Sequence, residues 1–232
     1  MKKLILLASL CLGAAVSAPA GLYSSTYTTG FDNNGNILDG NTSPWSDTRT
    51  VSGIPQTVIE TVSVRLNVSG GNNGDLYAYL SYNGTKLVLL NRVGVGTDSN
   101  PVYSFGYSGA GFTSLVLQDG GGDIHTYGGG VGTGTYSADG RDVNPLASPA
   151  TLYGTGRATF SGTFGGMNPN GDWTLVFADV SGGGGQSQIT SWGLDIDAVP
   201  EPVNTALAVF GGLLGVTQLA RFLRRRQASA RG

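Results

Sequence analysis

The sequence predicts an all-β protein, an antiparallel β-sandwich, on three observations. Apolar and polar residues alternate with a period of two through the middle of the chain. Asn-Gly and Gly-Gly pairs separate the apolar stretches. No stretch between the two ends carries a convincing helical period. Alternation puts successive side chains on opposite faces of an extended strand. Asn and Gly tolerate the positive φ that tight hairpin turns require.

The chain begins Met1-Lys2-Lys3, followed by an apolar run from Leu4 to Gly13 and then small residues. A basic start, a short apolar core and small residues together predict a secretory signal peptide over residues 1–20. Pro19 disfavours cleavage after Ala18, so cleavage is expected after Ala20. Cys11 lies inside the apolar run, and the bulky Leu10 before it argues against a lipoprotein. Residues 21–44 are expected to form an N-terminal extension, and residues 45–198 the sandwich.

Within that region Val62, Val64, Leu66 and Val68 alternate with Ser63, Arg65 and Asn67, which predicts a half-buried strand. Tyr77 to Tyr82 and Thr85 to Leu90 flank Asn83-Gly84, which predicts a two-residue hairpin. Trp173, Leu175 and Phe177 share one face of a further strand, and Trp192, Leu194 and Ile196 one face of the last. The segment from Gly94 to Gly162 is rich in glycine and loops. Ser114 to Gln118 and Ala158 to Phe164 are its extended candidates. Its Gly-Gly-Gly runs lack the Lys-Ser/Thr and the following helix of a phosphate loop.

Composition narrows the function classes. The chain has 232 residues, enough for one domain of ordinary size with short appendages. Charged residues make up 12% and net charge is −2, so nothing argues for a nucleic-acid partner. With one cysteine and one histidine, a disulfide framework and a multi-histidine zinc site are both excluded. His125, the single histidine, is expected to make ordinary hydrogen bonds in a loop or at a strand end. No Gly-x-Ser-x-Gly elbow accompanies it, so no catalytic residue is assigned.

The C-terminus reads Val199-Pro200-Glu201-Pro202, then an apolar stretch from Val203 to Ala220, then Arg221 and Arg224-Arg225-Arg226. A helix of roughly 18 residues spans about 27 Å, close to a bilayer's hydrocarbon thickness. The arginines stay on the cytoplasmic side by the positive-inside rule. A transmembrane helix with residues 227–232 as a cytoplasmic tail is therefore expected. Residues 199–226 resemble the PEP-CTERM sorting signal: a Pro-Glu-Pro motif, one membrane helix and a terminal arginine cluster, in that order. The resemblance implies recognition by an exosortase in a Gram-negative bacterium, with delivery to the cell surface, outer envelope or extracellular space. Signal peptidase and exosortase are thus the implied partners during export.

Two stretches carry a second resemblance. The first runs from Asn67 through Gly74-Asp75-Leu76 to Asn83-Gly84-Thr85. The second is Asn170-Gly171-Asp172-Trp173-Thr174-Leu175, followed by Phe177-Ala178-Asp179 and Ser191-Trp192-Gly193-Leu194. Together they are similar to the P, or Homo B, domain of subtilisin-like proprotein convertases. The resemblance implies a jelly-roll sandwich of about eight strands. It implies a module that supports a neighbouring protease without doing chemistry itself.

Asp75, Asp119 and Asp179 each lie at a predicted strand end. Turns rich in Asp and backbone carbonyls supply the oxygen ligands that calcium takes, so these three are the candidate calcium ligands. Some members of the resembled family bind calcium, which adds weight. The expected function is a non-catalytic, exported binding or structural module of the cell envelope or matrix, with a protein or polysaccharide ligand. The alternatives are an accessory to subtilisin-like proteolysis and a carbohydrate-active enzyme using a carboxylate pair.

Overall fold

The computed structural model describes residues 20–95, 105–147 and 156–229, without the side chains of 202–208 and 227–229. Residues 1–19 of the predicted signal peptide lie outside this set. Residues Ala20–Val199 form one compact unit. It contains β1 (Gly21–Tyr27), β2 (Asn36–Ile37), β3 (Asn41–Val51), β4 (Val58–Gly70), β5 (Leu76–Tyr82) and β6 (Thr85–Asn91). These are followed by β7 (Phe112–Asp123), β8 (Gly132–Ser137), the short helix α1 (Phe160–Phe164), β9 (Gly171–Asp179) and β10 (Ser187–Val199).

The strands form two sheets. One has the order β1-β10-β4-β7-β8, with β2 also on β10, and the other has the order β3-β9-β5-β6. The alternating residues of the sequence face one another between them. Val64, Leu66, Leu115, Leu117, Trp192, Leu194 and Ile196 come from the first sheet; Leu76, Leu80, Leu87, Trp173, Leu175 and Phe177 come from the second. All are buried. Asn83 and Gly84 adopt φ of 47° and 76°, as the β5–β6 hairpin requires.

The structure corrects the expectation in four places. Residues 21–44 are no extension, because β1 pairs with β10 along its whole length, from Gly21↔Ala198 to Tyr27↔Trp192. Residues 160–164 are helical rather than extended. Thr159 caps this helix by accepting from the Gly162 N–H at 3.1 Å. Five residues are too few to display a helical period in sequence. The pairing of β7 with β8 is parallel, whereas every other pair is antiparallel. The described strands number ten rather than about eight.

Trp45, at the start of the continuously paired part of β3, is core. It is 7% exposed, packs edge-on against Phe31 and Phe177, and donates its indole N–H to the Asp32 carbonyl at 2.9 Å. Trp173 stacks on Tyr82 at 4.0 Å between centroids. Trp192 donates to Asp47 Oδ2 at 2.6 Å, joining the two sheets through a buried polar bond.

Outside this unit, Pro202–Ser229 forms one helix, α2. Among the described residues, no helix is long and apolar enough to cross a membrane. The side chains of residues 203–208, the first part of the predicted span, lie outside that set.

Replacing Trp192 with Phe retains most of the buried ring but removes the donor to Asp47. The expected loss is about 1–3 kcal/mol of unfolding free energy in urea, whereas Thr48→Ala on the exposed face should stay within about 0.5 kcal/mol.

Candidate functional site

At one end of the second sheet, β9 finishes on Asp179 between two strands that begin there. Asp179 lies opposite Asn41 of β3 and Leu76 of β5. Asp75, immediately before β5, and Gly40, immediately before β3, are therefore brought beside it. A single-turn 3₁₀ helix, Asn73–Asp75, delivers Asp75. The Asp75 carbonyl accepts the Val180 N–H at 2.8 Å, which fixes the loop leaving β9 against the entry to β5.

Asp179 is fully buried. Its Oδ1 accepts the Ser181 and Gly40 N–H groups at 3.2 and 3.4 Å. Its Oδ2 is buried without a hydrogen-bond partner. Burial, reinforced by the charges of Asp75 and Asp39, pushes the Asp179 carboxyl up to about 6. Asp75 is 5% exposed, and burial raises its carboxyl too, against the opposing pull of Asn72, Arg92 and Ser181.

Asp39 is exposed and accepts the Gly183 N–H at 3.4 Å. The run Gly182–Gly185 closes over the cluster. A Cβ at Gly184 would lie 2.7 Å from Asp75 Oδ2 and 2.6 Å from Asn72 Nδ2, so a larger residue would displace those side chains. Two of the three predicted calcium ligands thus meet, joined by Asp39. Sequence reasoning did not single out Asp39, which stands in an Asp39-Gly40 turn pair. Among the described residues, no three His, Cys, Asp or Glu side chains form a ready-made metal centre.

Asp119 is elsewhere and otherwise engaged. Its two oxygens accept the Phe160 and Ser161 N–H groups, each at 2.8 Å, at the start of α1. That engages both oxygens at a helix end, away from Asp75 and Asp179.

His125 is 2% exposed within a buried ionic group. Its Nδ1 accepts the Gly94 N–H at 3.0 Å, so the ring proton sits on Nε2 and is donated to Asp139 Oδ2. Arg141 donates through Nε and Nη2 to the two oxygens of Asp139, each at 2.9 Å. Burial pushes the Asp139 carboxyl up, but the bonds from Arg141 and His125 outweigh it and hold the group below its usual range. Both ring nitrogens of His125 are committed to this network.

Tyr77 and Tyr79 lie half-buried on β5 with rings 5.9 Å apart. Lys86 sits 5.5 Å over the Tyr79 ring and pairs with Asp142 at 2.8 Å. In the tail, Val199 is the last residue of β10 and Pro202 the first of α2. Arg224, Arg225 and Arg226 are exposed on that helix.

No protein-family model and no curated protein matches the chain. Among solved structures, it resembles the complex of Aeromonas sobria serine protease with its chaperone, at a TM-score of 0.45 and 16% identity. The match covers 80% of this chain and 28% of that one. It also resembles Aeromonas sobria serine protease, at 0.43 and 15%, over 78% of this chain and 27% of the other. The chain therefore spans less than a third of the structures it resembles, and the activity they are named for remains theirs.

Two outcomes follow. Asp119→Ala should cost about 0.5–2 kcal/mol by uncapping α1, read by urea unfolding. Asp139 has a folded-state value below its ordinary 3.8, so its stabilisation is complete above that value and lost as pH falls through the folded one. Asp139→Asn should therefore lower stability at pH 7 and flatten its fall below about pH 4, measured as Tm against pH.

Proposed function

We propose that this chain is an exported, non-catalytic β-sandwich module of the cell envelope or extracellular matrix, sorted by a PEP-CTERM-type tail. The observation that carries the reading is the order of the C-terminal residues. Pro200-Glu201-Pro202 follows directly on the last strand, the apolar stretch 203–220 comes next, and Arg224-Arg225-Arg226 follows. An uncharged apolar stretch of this length favours lipid, while each arginine would cost roughly 2.5–3.5 kcal/mol at mid-bilayer. The N-terminal residues 1–20 fit the same route as a signal peptide.

The commitment of His125 supports the non-catalytic reading. The only histidine of the chain is buried, and neither ring nitrogen is available to take a proton from a substrate. The role proposed for the sandwich is to bind an envelope protein or polysaccharide, or to serve as structure. A second reading, an accessory to a separate subtilisin-like protease, is favoured by the Asn-Gly-x-Trp-x-Leu entry to β9 and the Ser-Trp-x-Leu run of β10.

Intact-mass measurement of the protein recovered from cells and medium tests the route. The expected mature chain begins near Gly21 and ends near the Pro-Glu-Pro motif. Replacing Arg224, Arg225 and Arg226 together with Ala should leave the tail uncleaved and the protein cell-associated. An unprocessed chain dissolved in the cytosol would overturn the reading. Co-purification with a subtilisin-like protease would favour the second reading instead.

A further inference from the structure

Side chains of β3 alternate across the smaller sheet: Trp45 and Asp47 turn into the fold, Ser46 and Thr48 away from it. Between Asn41↔Asp179 and Trp45↔Phe177, β3 advances four residues while β9 advances two, so β3 bulges here. Pro44, which has no N–H to give to a ladder, sits in the bulge. Beside it is the Asp32–Gly35 turn, in which Asn33 and Asn34 take left-handed φ of 50° and 53°. Asparagine tolerates that conformation better than most side chains. Asn33 Nδ2 donates to the Asn36 carbonyl at 3.1 Å and holds the turn. Turn and bulge enclose a cleft of about 230 Å³, whose walls include Asp32, Asn36, Leu38, Ser43, Trp45 and Ser46.

Among the described residues, the Asp32 carboxylate, the Asn36 carboxamide and the Ser43 and Ser46 hydroxyls make no hydrogen bond within the chain. Carboxamides and hydroxyls both donate and accept, and a carboxylate accepts. A polyol matches such a set, because each of its hydroxyls also does both. The Trp45 indole N–H is already given to the Asp32 carbonyl, so Trp45 adds apolar surface only.

The register carries the cleft onward over the outer face of the sheet. Ser46 lies opposite Val176, and Val176 opposite Tyr79. At about 4.8 Å per strand, Tyr79 stands roughly 10 Å from Ser46. The next row is Thr48, Thr174 and Ser81, with the two threonine hydroxyls 2.8 Å apart. Small hydroxylated side chains thus floor a strip that Tyr77 and Tyr79 border. At its far end the charge of Lys86 is balanced by Asp142 at 2.8 Å. Asp32 is the one ionisable group of the cleft, and it repels an anionic chain.

We propose that this strip, from the cleft at Asp32 to the tyrosines of β5, binds a neutral polysaccharide chain. The inference rests on the polysaccharide-binding role proposed for the sandwich and gives that role a site and a ligand class. The cleft is smaller than the roughly 300–1,000 Å³ of sites for drug-sized ligands, so it takes a single sugar ring. That ring bonds to Asp32, Asn36 and Ser43. The rings that follow cross Ser46 and Thr48 and lay apolar faces against Tyr79 and Tyr77.

The full-length protein in detergent is titrated calorimetrically with cellohexaose, maltohexaose and mannohexaose, and with hexagalacturonate as the anionic comparison. At least one neutral hexasaccharide should bind with Kd of about 1 mM or less, and about 10-fold or more tighter than hexagalacturonate. Asp32→Ala, at an exposed position, and Tyr79→Ala, at the other end of the strip, should each weaken that binding by about 10-fold. Leu22→Ala, exposed on the edge strand of the other sheet, should leave it unchanged. If Tyr79→Ala fails to fold, Asp32→Ala decides. No binding of any neutral hexasaccharide up to about 10 mM, tighter binding of hexagalacturonate, or binding unchanged by Asp32→Ala overturns the proposal. The export route is judged separately by intact mass, so a correctly processed chain that binds no saccharide loses this site and keeps that route.

Discussion

The register between β4 and β10 is the constraint on which the rest of the sandwich depends. These two strands of 13 residues each form the middle of the larger sheet and seat β1, β2 and β7 on either side. Side chains alternate with a strict period of two, so a slip of one residue would carry Val64, Leu66, Trp192 and Leu194 from the core to solvent. The core residues of the smaller sheet would then lose their facing partners. Trp192 sharpens the constraint, because its indole N–H reaches Asp47 of β3 in the opposite sheet.

A perfect alternation would not satisfy β10. Ile189 and Trp192 are both buried yet lie three residues apart. The pairing shifts between Ile189 and Ser191, so that one extra residue is absorbed and both side chains face inward. A second shift, between Asp197 and Ala198, lies beside the first residues of β1. There the extra residue is Glu60 of β4, and Ile59 and Val62, three apart, both face inward.

Two buried aspartates show how differently this fold treats charge. Asp139 sits in a saturated network, with a guanidinium across both oxygens and an imidazole on one of them. That network clamps the loop after β6, the turn after β7 and the segment after β8, and it engages both ring nitrogens of His125. Asp179 is buried as deeply, beside Asp75 and Asp39, with one oxygen unanswered. The first arrangement satisfies its charge within the fold, whereas the second leaves one carboxylate oxygen without a hydrogen-bond partner.

Period-two alternation by itself determined β4, β5, β9 and β10, because a half-buried strand imposes that period on its own residues, whereas β6, buried on five consecutive residues, was legible through its hairpin with β5. The Asn83-Gly84 hairpin was legible for the same local reason, positive φ at two adjacent positions. Local signals did not reveal β1, whose Gly-Leu-Tyr-Ser-Ser-Thr-Tyr has little apolar pattern and is held by pairing along β10. Nor did they reveal α1, whose first N–H groups are satisfied by Asp119, 41 residues earlier in the chain. Asp75 and Asp179 were recognisable as strand-end carboxylates, but their meeting, and the arrival of Asp39, followed from sheet order. Strand order is decided by which apolar faces pack together across the whole chain, and no local run of residues encodes that.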